Sequence, residues 1–594
     1  MFLGFSRRQM VASVVCFAQY VLTVFGLRFL TTEQIALRED WGYVAFFGLV
    51  FALVQALFDF NKKSFLFFWT IALLYFLSAF VKRFDGMILS EREIVHTLCF
   101  ASFIGCFLLL LQYALSGFKV FGRFKAFFVL FLACVGVFPA FVMIGYFLVN
   151  HAVFSAEILL TLFQTNKEEV LAYLVDQNLW LWGFLSLVIL SCILYMGWFF
   201  CKIRPRDGFK KMLLAATTIA LLWAGFKILP KTNVHFVFNV AANTFETLQN
   251  FEKYEESKDG RLKRVKALLK EGVSAHYDGV YILVIGESET RDHMSAYGYE
   301  RQTTPWLESV KNSQDVVFFS NAYSNHTHTV PVLSFALSTM DQYHDVDFAS
   351  AYSIIEVARA AGFETYWISN QPKESVFKNP VAIMAGAADK QIWLNNSVGD
   401  KLSTAYYDEK LADTLQNLEL SNKAFVVLHL MGCHGAYRDR YPKVFERFVN
   451  GPSKRVDTYD NSVFYTDYVL QKIDEVAVKN PKFMALVYLS DHGEDPDNSL
   501  GHESSRFTYK MARVPLFVKV SNAFKASRPQ VFEALKKNSN AVFTNDLLDN
   551  LLADLLGIEG LAEYQAYFNL ASTRYGLSKE EALTLHGQKH LKDE

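Results

Sequence analysis

The sequence predicts an N-terminal multi-span α-helical membrane domain followed by an α/β domain with a mostly parallel central sheet. Two observations carry this reading. Seven apolar runs of helix-spanning length crowd the first 230 residues, and beyond them short β-rich runs alternate with helical stretches. Composition agrees: 52% of residues are hydrophobic, with 56 Phe, yet 20% are charged, so one half is apolar and the other wet. At 594 residues the chain exceeds one ordinary core and suggests roughly two to four domains. A net charge of −1 with no basic stripe argues against a nucleic-acid partner.

The apolar runs lie at 10–25, 43–57, 64–81, 94–115, 125–149, 179–201 and 212–229. A soluble core helix can imitate one such run but not seven in succession, so a membrane domain over 1–230 is expected. Cations cluster in alternate connections: Arg7 and Arg8; Lys62 and Lys63; Lys119, Arg123 and Lys125; then Lys202, Arg204, Arg206, Lys210 and Lys211. Those connections, and the N-terminus, should face the cytoplasm, and an odd number of spans then places everything after Leu229 on the other side. The first run is expected to be retained. No small-x-small cleavage site follows it, and Val15 before Cys16 spoils a lipoprotein site. Segment 150–178 reads as an outward interfacial segment, an apolar stripe over 152–163 followed by Gln164-Thr165-Asn166-Lys167-Glu168-Glu169 at headgroup depth.

Residues 231–277 read as a linker and bridging helix, and the α/β domain as 278–594. Strands are predicted at 280–285, 364–368, 425–430, 484–489 and 516–520, and helices at 353–361, 409–418 and 461–478. Six of the seven cysteines lie at or before Cys201, leaving only Cys433 beyond, so no internal disulfide can form in the polar half. Internal repeats, a Walker-type Gly-rich loop and Cys-x-x-Cys are absent.

In a parallel α/β sheet, ligands gather outside the carboxyl ends of the strands. Strand 280–285 runs into Gly286-Glu287-Ser288, and strand 484–489 into Ser490-Asp491-His492-Gly493-Glu494. Two carboxylates and an imidazole delivered to one edge, without thiolate, suit Zn²⁺ or Mn²⁺. His434, after strand 425–430, and His502 bring two further imidazoles within reach. Singly, each has an ordinary structural explanation; the convergence of several loops makes the case. A nucleophile belongs beside the metal. His326-Thr327-His328-Thr329-Val330-Pro331 precedes an apolar helical stretch, which puts a Thr hydroxyl at a helix N-terminus, where free amides favour anions. Thr is a weak nucleophile unless a metal stabilises its alkoxide. Thr329 is preferred over Thr327 because the Pro two positions later suits a first helical turn, and Thr327 stays open as the alternative.

These residues resemble the membrane phosphoethanolamine transferases that modify lipopolysaccharide, in the alkaline phosphatase and sulfatase superfamily. The carriers are VIGESETR at Val284–Arg291, MSAYGYERQTTP at Met294–Pro305, HTHTVP, HLMGCHG at His429–Gly435, LSDHGE at Leu489–Glu494, Gly501-His502 and RVPLF at Arg513–Phe517. The resemblance implies a sulfatase-like fold for 278–594. It implies zinc held by Glu287, Asp491, His492 and the nucleophilic Thr329, with His434 and His502 near the phosphoryl group or a second metal. It further implies that Thr165 and Glu169 contact the lipid headgroup and that Lys373 touches phosphate. The expected reaction takes phosphoethanolamine from phosphatidylethanolamine, through a phospho-threonine enzyme, to lipid A, core or another envelope glycan at the bacterial inner membrane, with the catalytic domain periplasmic. The competing readings are a phosphoglycerol transferase resembling lipoteichoic acid synthase, a membrane-tethered phosphatase or sulfatase, and a non-catalytic membrane scaffold. The chain departs from its relatives in lacking disulfides in the polar half, in the His-Thr-His-Thr spacing, and in seven predicted spans where five are usual.

Overall fold

The computed structural model describes residues 6–30, 41–84, 89–116, 122–156, 158–160, 179–203, 211–228, 236–270, 277–373, 380–395, 406–498, 500–559, 561 and 564–594. The chain divides into two compact units, with a boundary between Glu246 and Thr247.

In the first unit helices occupy all seven apolar runs: Arg7–Leu27, Trp41–Leu57, Lys62–Phe84, Glu91–Ser116, Gly122–Asn150, Leu179–Cys201 and Lys211–Ile228. Five stretches among the described residues, rather than the seven expected, are long and apolar enough to cross a bilayer: Arg7–Leu27, Lys62–Phe84, Glu91–Ser116, Leu130–Asn150 and Trp182–Phe199. Trp41–Leu57 has 17 residues, and at about 1.5 Å per residue it falls short of a hydrocarbon core about 30 Å thick. Small residues let the helices approach: a Cβ on Gly48 would meet the Phe17 and Tyr20 rings at 3.1 Å, and one on Gly105 would meet Phe68 at 3.1 Å. Phe51 stacks on Phe68 with centroids 4.0 Å apart. Hydroxyls satisfy themselves on their own helix, as Ser102 Oγ to Leu98 O at 2.6 Å and Thr217 Oγ1 to Leu213 O at 2.7 Å.

The second unit is built on a seven-stranded sheet: β1 Gly279–Gly286, β2 Val316–Phe319, β4 Glu364–Ser369, β5 Lys390–Trp393, β6 Lys423–His429, β7 Phe483–Ser490 and β8 Leu516–Val520, in the order β2-β8-β7-β1-β6-β4-β5. The pairs β1/β6, β1/β7, β4/β6 and β4/β5 are parallel, and only β8 runs antiparallel to its neighbours β7 and β2. A separate pair, β3 Asn321–Tyr323 with β9 Val542–Thr544, is parallel. The central strand β1 is buried along its whole length, as an apolar run covered on both faces must be. Edge strands β2 and β5 are additions to the five predicted.

The expected linker is mostly helical, and part of it belongs to the second unit. Helix Lys258–Lys270 carries Arg261, whose guanidinium is buried against Glu356 at 3.2 Å and over the Tyr254 ring at 3.5 Å. Glu356 is also the third residue of a capping box closed by Ser353 on helix Ile354–Ala360. One carboxylate therefore serves a helix cap and a buried cation together. Cys433, the only cysteine of this unit, is a buried free thiol.

Candidate active site

The parallel register brings the strand ends level. Gly286 of β1 pairs with Ser490 of β7, Ile285 of β1 with His429 of β6, and His429 with Ser369 of β4. The residues that follow each strand consequently share one edge. Glu287 leaves β1 and turns sharply at Ser288, whose φ of +58° is unusual for a side chain with a Cβ. The loop after β6 closes on that turn, where Cys433 N donates to Glu287 O at 2.8 Å. Gly432 has φ +50°, and a Cβ on it would lie 2.7 Å from Glu287 O, so only glycine lets the loop come this close. Asp408 fixes the same loop by accepting from the amides of Met431 and Gly432 at 2.9 and 2.8 Å.

Glu287, Asp491 and His492 are all buried, each offering one donor atom within 4.8 Å of the others. Their spare atoms converge. His492 Nδ1 lies 2.9 Å from Gly493 O and donates to it, which leaves Nε2 as the nitrogen that faces the carboxylates, 3.3 Å from Glu287 Oε1 and 3.6 Å from Asp491 Oδ2. Asp491 Oδ1 accepts from the amides of Ser288 and His492 at 3.1 and 2.7 Å. Asp491 Oδ2 and His492 Nε2 are buried without a hydrogen-bond partner. Two orphaned atoms facing a buried carboxylate are what a divalent cation would satisfy, and an O, O, N set completed by a hydroxyl suits Zn²⁺ or Mn²⁺.

The charges fit the same reading. Burial pushes Glu287 up, but the His492 imidazole beside it outweighs burial and holds the carboxyl well below its usual range. Burial, then the Glu287 charge, pushes Asp491 up to about 8. His492 is raised to about 10: burial works against its charged form, and the two carboxylates overcome it. The trio thus retains protons that a cation would displace.

Thr329 is the first residue of helix Thr329–Ala336, and its Oγ1 donates to Glu287 Oε2 at 3.0 Å and Oε1 at 3.2 Å. Thr327 is fully buried, with its hydroxyl 3.2 Å from His328 Nδ1. Of the two threonines, Thr329 is therefore the one whose hydroxyl meets the trio. His502 stands beside them. Its ring centroid is 4.7 Å from that of His492 and 5.1 Å from that of His328, and its Nδ1 lies 2.9 Å from Glu494 Oε1. Burial would raise Glu494, but His502 and the Tyr437 hydroxyl hold it below the usual carboxylate range. His434 sits in the loop after β6, and its charge helps to lower Glu287.

Lys373 is not brought to this group. It is exposed, with Nζ 5.9 Å over the Trp393 ring. Gln371, two residues earlier, turns in instead, donating from Nε2 to Glu287 Oε2 at 2.8 Å and to Leu430 O at 3.1 Å. The strand-end rule that picked Glu287 and Asp491 applies equally to Gln371, two residues past β4, and would have found it. Glu494 closes the LSDHGE motif, and no spacing in the sequence pairs it with His502. Thr165 and Glu169 lie outside the described residues.

Residues 280–558 match the family model described as Sulfatase, so the second unit carries a sulfatase-like domain. Among curated proteins, the chain is 29% identical over 272 residues to phosphoethanolamine transferase EptC of Escherichia coli (strain K12), covering 42% of this chain and 46% of that one, so it spans about half the length of that relative. It is 26% identical over 493 residues to phosphoethanolamine transferase EptA of Salmonella typhimurium, covering 73% of this chain and 84% of that one. The structure of the integral membrane protein lipooligosaccharide phosphoethanolamine transferase A from Neisseria meningitidis superposes with a TM-score of 0.55 at 17% identity, over 86% of this chain and 97% of that one, which shows a shared fold across both units. The resemblance to membrane phosphoethanolamine transferases with a sulfatase-like domain is borne out.

Proposed function

We propose that this protein transfers phosphoethanolamine from phosphatidylethanolamine to a lipopolysaccharide or related envelope glycan, through a phosphorylated Thr329. The observation that carries the reading is the Thr329 hydroxyl resting on Glu287 at 3.0 Å, beside a buried trio with two unsatisfied donor atoms. Zn²⁺ or Mn²⁺ held by Glu287, Asp491 and His492 would lower the pKa of the Thr329 hydroxyl and neutralise charge on the transferring group.

The remaining work falls to side chains. Thr329 Oγ1 attacks phosphorus while the bond to the diacylglycerol oxygen breaks, and its proton leaves along the hydrogen bond it makes to Glu287. The free amides at the start of Thr329–Ala336 face the anionic group. His502 has Nδ1 engaged by Glu494, which frees Nε2 to protonate the departing diacylglycerol oxygen. His434, on the neighbouring loop, is the other candidate for that role. In the second half the acceptor hydroxyl gives its proton to the His502 Nε2 that had protonated diacylglycerol, its oxygen attacks the same phosphorus, and the bond to Thr329 Oγ1 breaks as the proton held at Glu287 returns to that oxygen. His429 stays outside this exchange: burial pushes it down to about 4, so it is neutral at working pH. The apolar helices support a lipid donor that never leaves the bilayer. Counting all seven apolar helices of the first unit, Trp41–Leu57 and Lys211–Ile228 included, keeps the cationic connections on one side and favours a cytoplasmic N-terminus and a periplasmic sulfatase domain at the inner membrane.

Intact-mass measurement of the purified protein after incubation with phosphatidylethanolamine tests the reading. A phosphoethanolamine adduct is expected in the parent and in Thr327→Ala, and is expected to vanish in Thr329→Ala. An adduct that survives in Thr329→Ala would refute the nucleophile, and an adduct formed only with phosphatidylglycerol would replace the donor.

A further inference from the structure

A cavity of about 940 Å³ opens between the start of helix Arg7–Leu27 and the turn that joins Trp41–Leu57 to Lys62–Phe84. Its size is that of a small-molecule pocket, about 300 to 1,000 Å³. The wall is apolar, made by Val11, Ala12, Val15, Phe65 and Leu66. Arg7, Arg8 and Lys62 line the same cavity, and none of the three is in an ion pair among the described residues. The turn that sets Lys62 there is unusual: Asp59 and Phe60 have φ of +50° and +54°, and Gln9 Nε2 ties Asp59 to the first helix at 2.9 Å. Gln55 supplies the second, independent observation. It is fully buried and lines the cavity; its Oε1 accepts from Ser64 Oγ at 2.8 Å, while its Nε2 has no hydrogen-bond partner. An amide donor left unmet in an apolar wall awaits an acceptor.

We infer that this cavity binds one phospholipid with a net negative headgroup. An acyl chain fits the apolar wall, an ester carbonyl meets Gln55 Nε2, and the phosphodiester meets Arg7, Arg8 and Lys62. Basic pockets between membrane helices select anionic headgroups, and three cations disfavour a headgroup that carries an ammonium. The site is therefore not one for phosphatidylethanolamine, and the inference stands independently of the transfer reaction.

Native mass spectrometry of the full chain in detergent, with equal amounts of phosphatidylglycerol and phosphatidylethanolamine added, tests it. Phosphatidylglycerol should be retained about tenfold over phosphatidylethanolamine. Replacing Arg7, Arg8 and Lys62 together by Gln should bring the two lipids to parity, and these side chains are exposed, so the fold should persist. Ala12→Trp, which fills the cavity, should abolish retention of both, while Gln55→Leu should weaken retention and keep the headgroup preference. Parity of the two lipids in the parent protein would overturn the inference, as would a preference that survives either the triple replacement or Ala12→Trp.

Discussion

The two units differ in how they bury polar groups. In the helical unit buried Ser and Thr hydroxyls such as those of Ser102 and Thr217 bond their own helix backbone, and a partly buried charge such as Lys82 is neutralised at once, 2.5 Å from Glu93. Its interior is largely aromatic, and single polar atoms such as Gln55 Nε2 are left there without a partner. In the sulfatase unit the loops after β1 and β7 hold Glu287, Asp491, His492 and Glu494 at 1% exposure or less, and two of their atoms have no hydrogen-bond partner. Burying charge without full pairing is costly, and a fold tolerates it where something else completes the set. The contrast is between single polar atoms such as Gln55 Nε2 in the helical unit and ionisable groups that converge on one point in the sulfatase unit.

The largest expected effect tests the ligand side. Thr329→Ala should reduce transfer by more than about a thousandfold, with thermal stability and metal content close to the parent; Thr327→Ala should not. Phospholipid-to-acceptor transfer and metal analysis on the same samples check this. Next in size is a change on the packing side. Phe68→Ala removes a fully buried ring stacked on Phe51 and should cost about 3 to 5 kcal/mol of stability in the helical unit. Metal content of the folded fraction should not change; if it falls, the two units are not separable as argued.

A titration then sharpens the comparison. Asp491 and His492 are raised to about 8 and about 10, so each binds protons more tightly folded than unfolded. The stability they lend to the metal-free protein is lost as pH rises through those values. A cation displaces the same protons, so the melting temperature gained on adding zinc should be larger at pH 8 than at pH 6. A gain that is equal at both would mean that the protons and the metal do not compete. The smallest effect concerns Gln371. Gln371→Ala should lower metal affinity or transfer by about ten- to a hundredfold, whereas Lys373→Ala should stay near the parent. The reverse ranking would restore Lys373 to the site.

The sulfatase unit was legible in the sequence to the extent that its strands are buried on both faces. β1, β4, β6, β7 and β8 are apolar runs, and the chemistry follows directly after them. β5 escaped because KQIW at a sheet edge carries no such run, and β2 because VVFF is only four residues long. The alternation His-Thr-His-Thr offers two equivalent hydroxyls, and only the start of the helix at Thr329 decides which meets Glu287. Gln371 and Lys373 flank one proline in a loop, where no periodicity says which side chain turns inward. Helices fill all seven apolar runs, but apolar composition does not measure the length a helix reaches, as Trp41–Leu57 illustrates.

The salt link between Arg261 and Glu356 sets where this molecule can be cut. A soluble fragment that began at β1 would discard the helix that carries the guanidinium and leave the Glu356 carboxylate with only its cap at Ser353. Starting near Thr247 keeps the pair and the Tyr254 ring above it. The natural seam of the protein runs through the middle of a helix, ahead of the first strand.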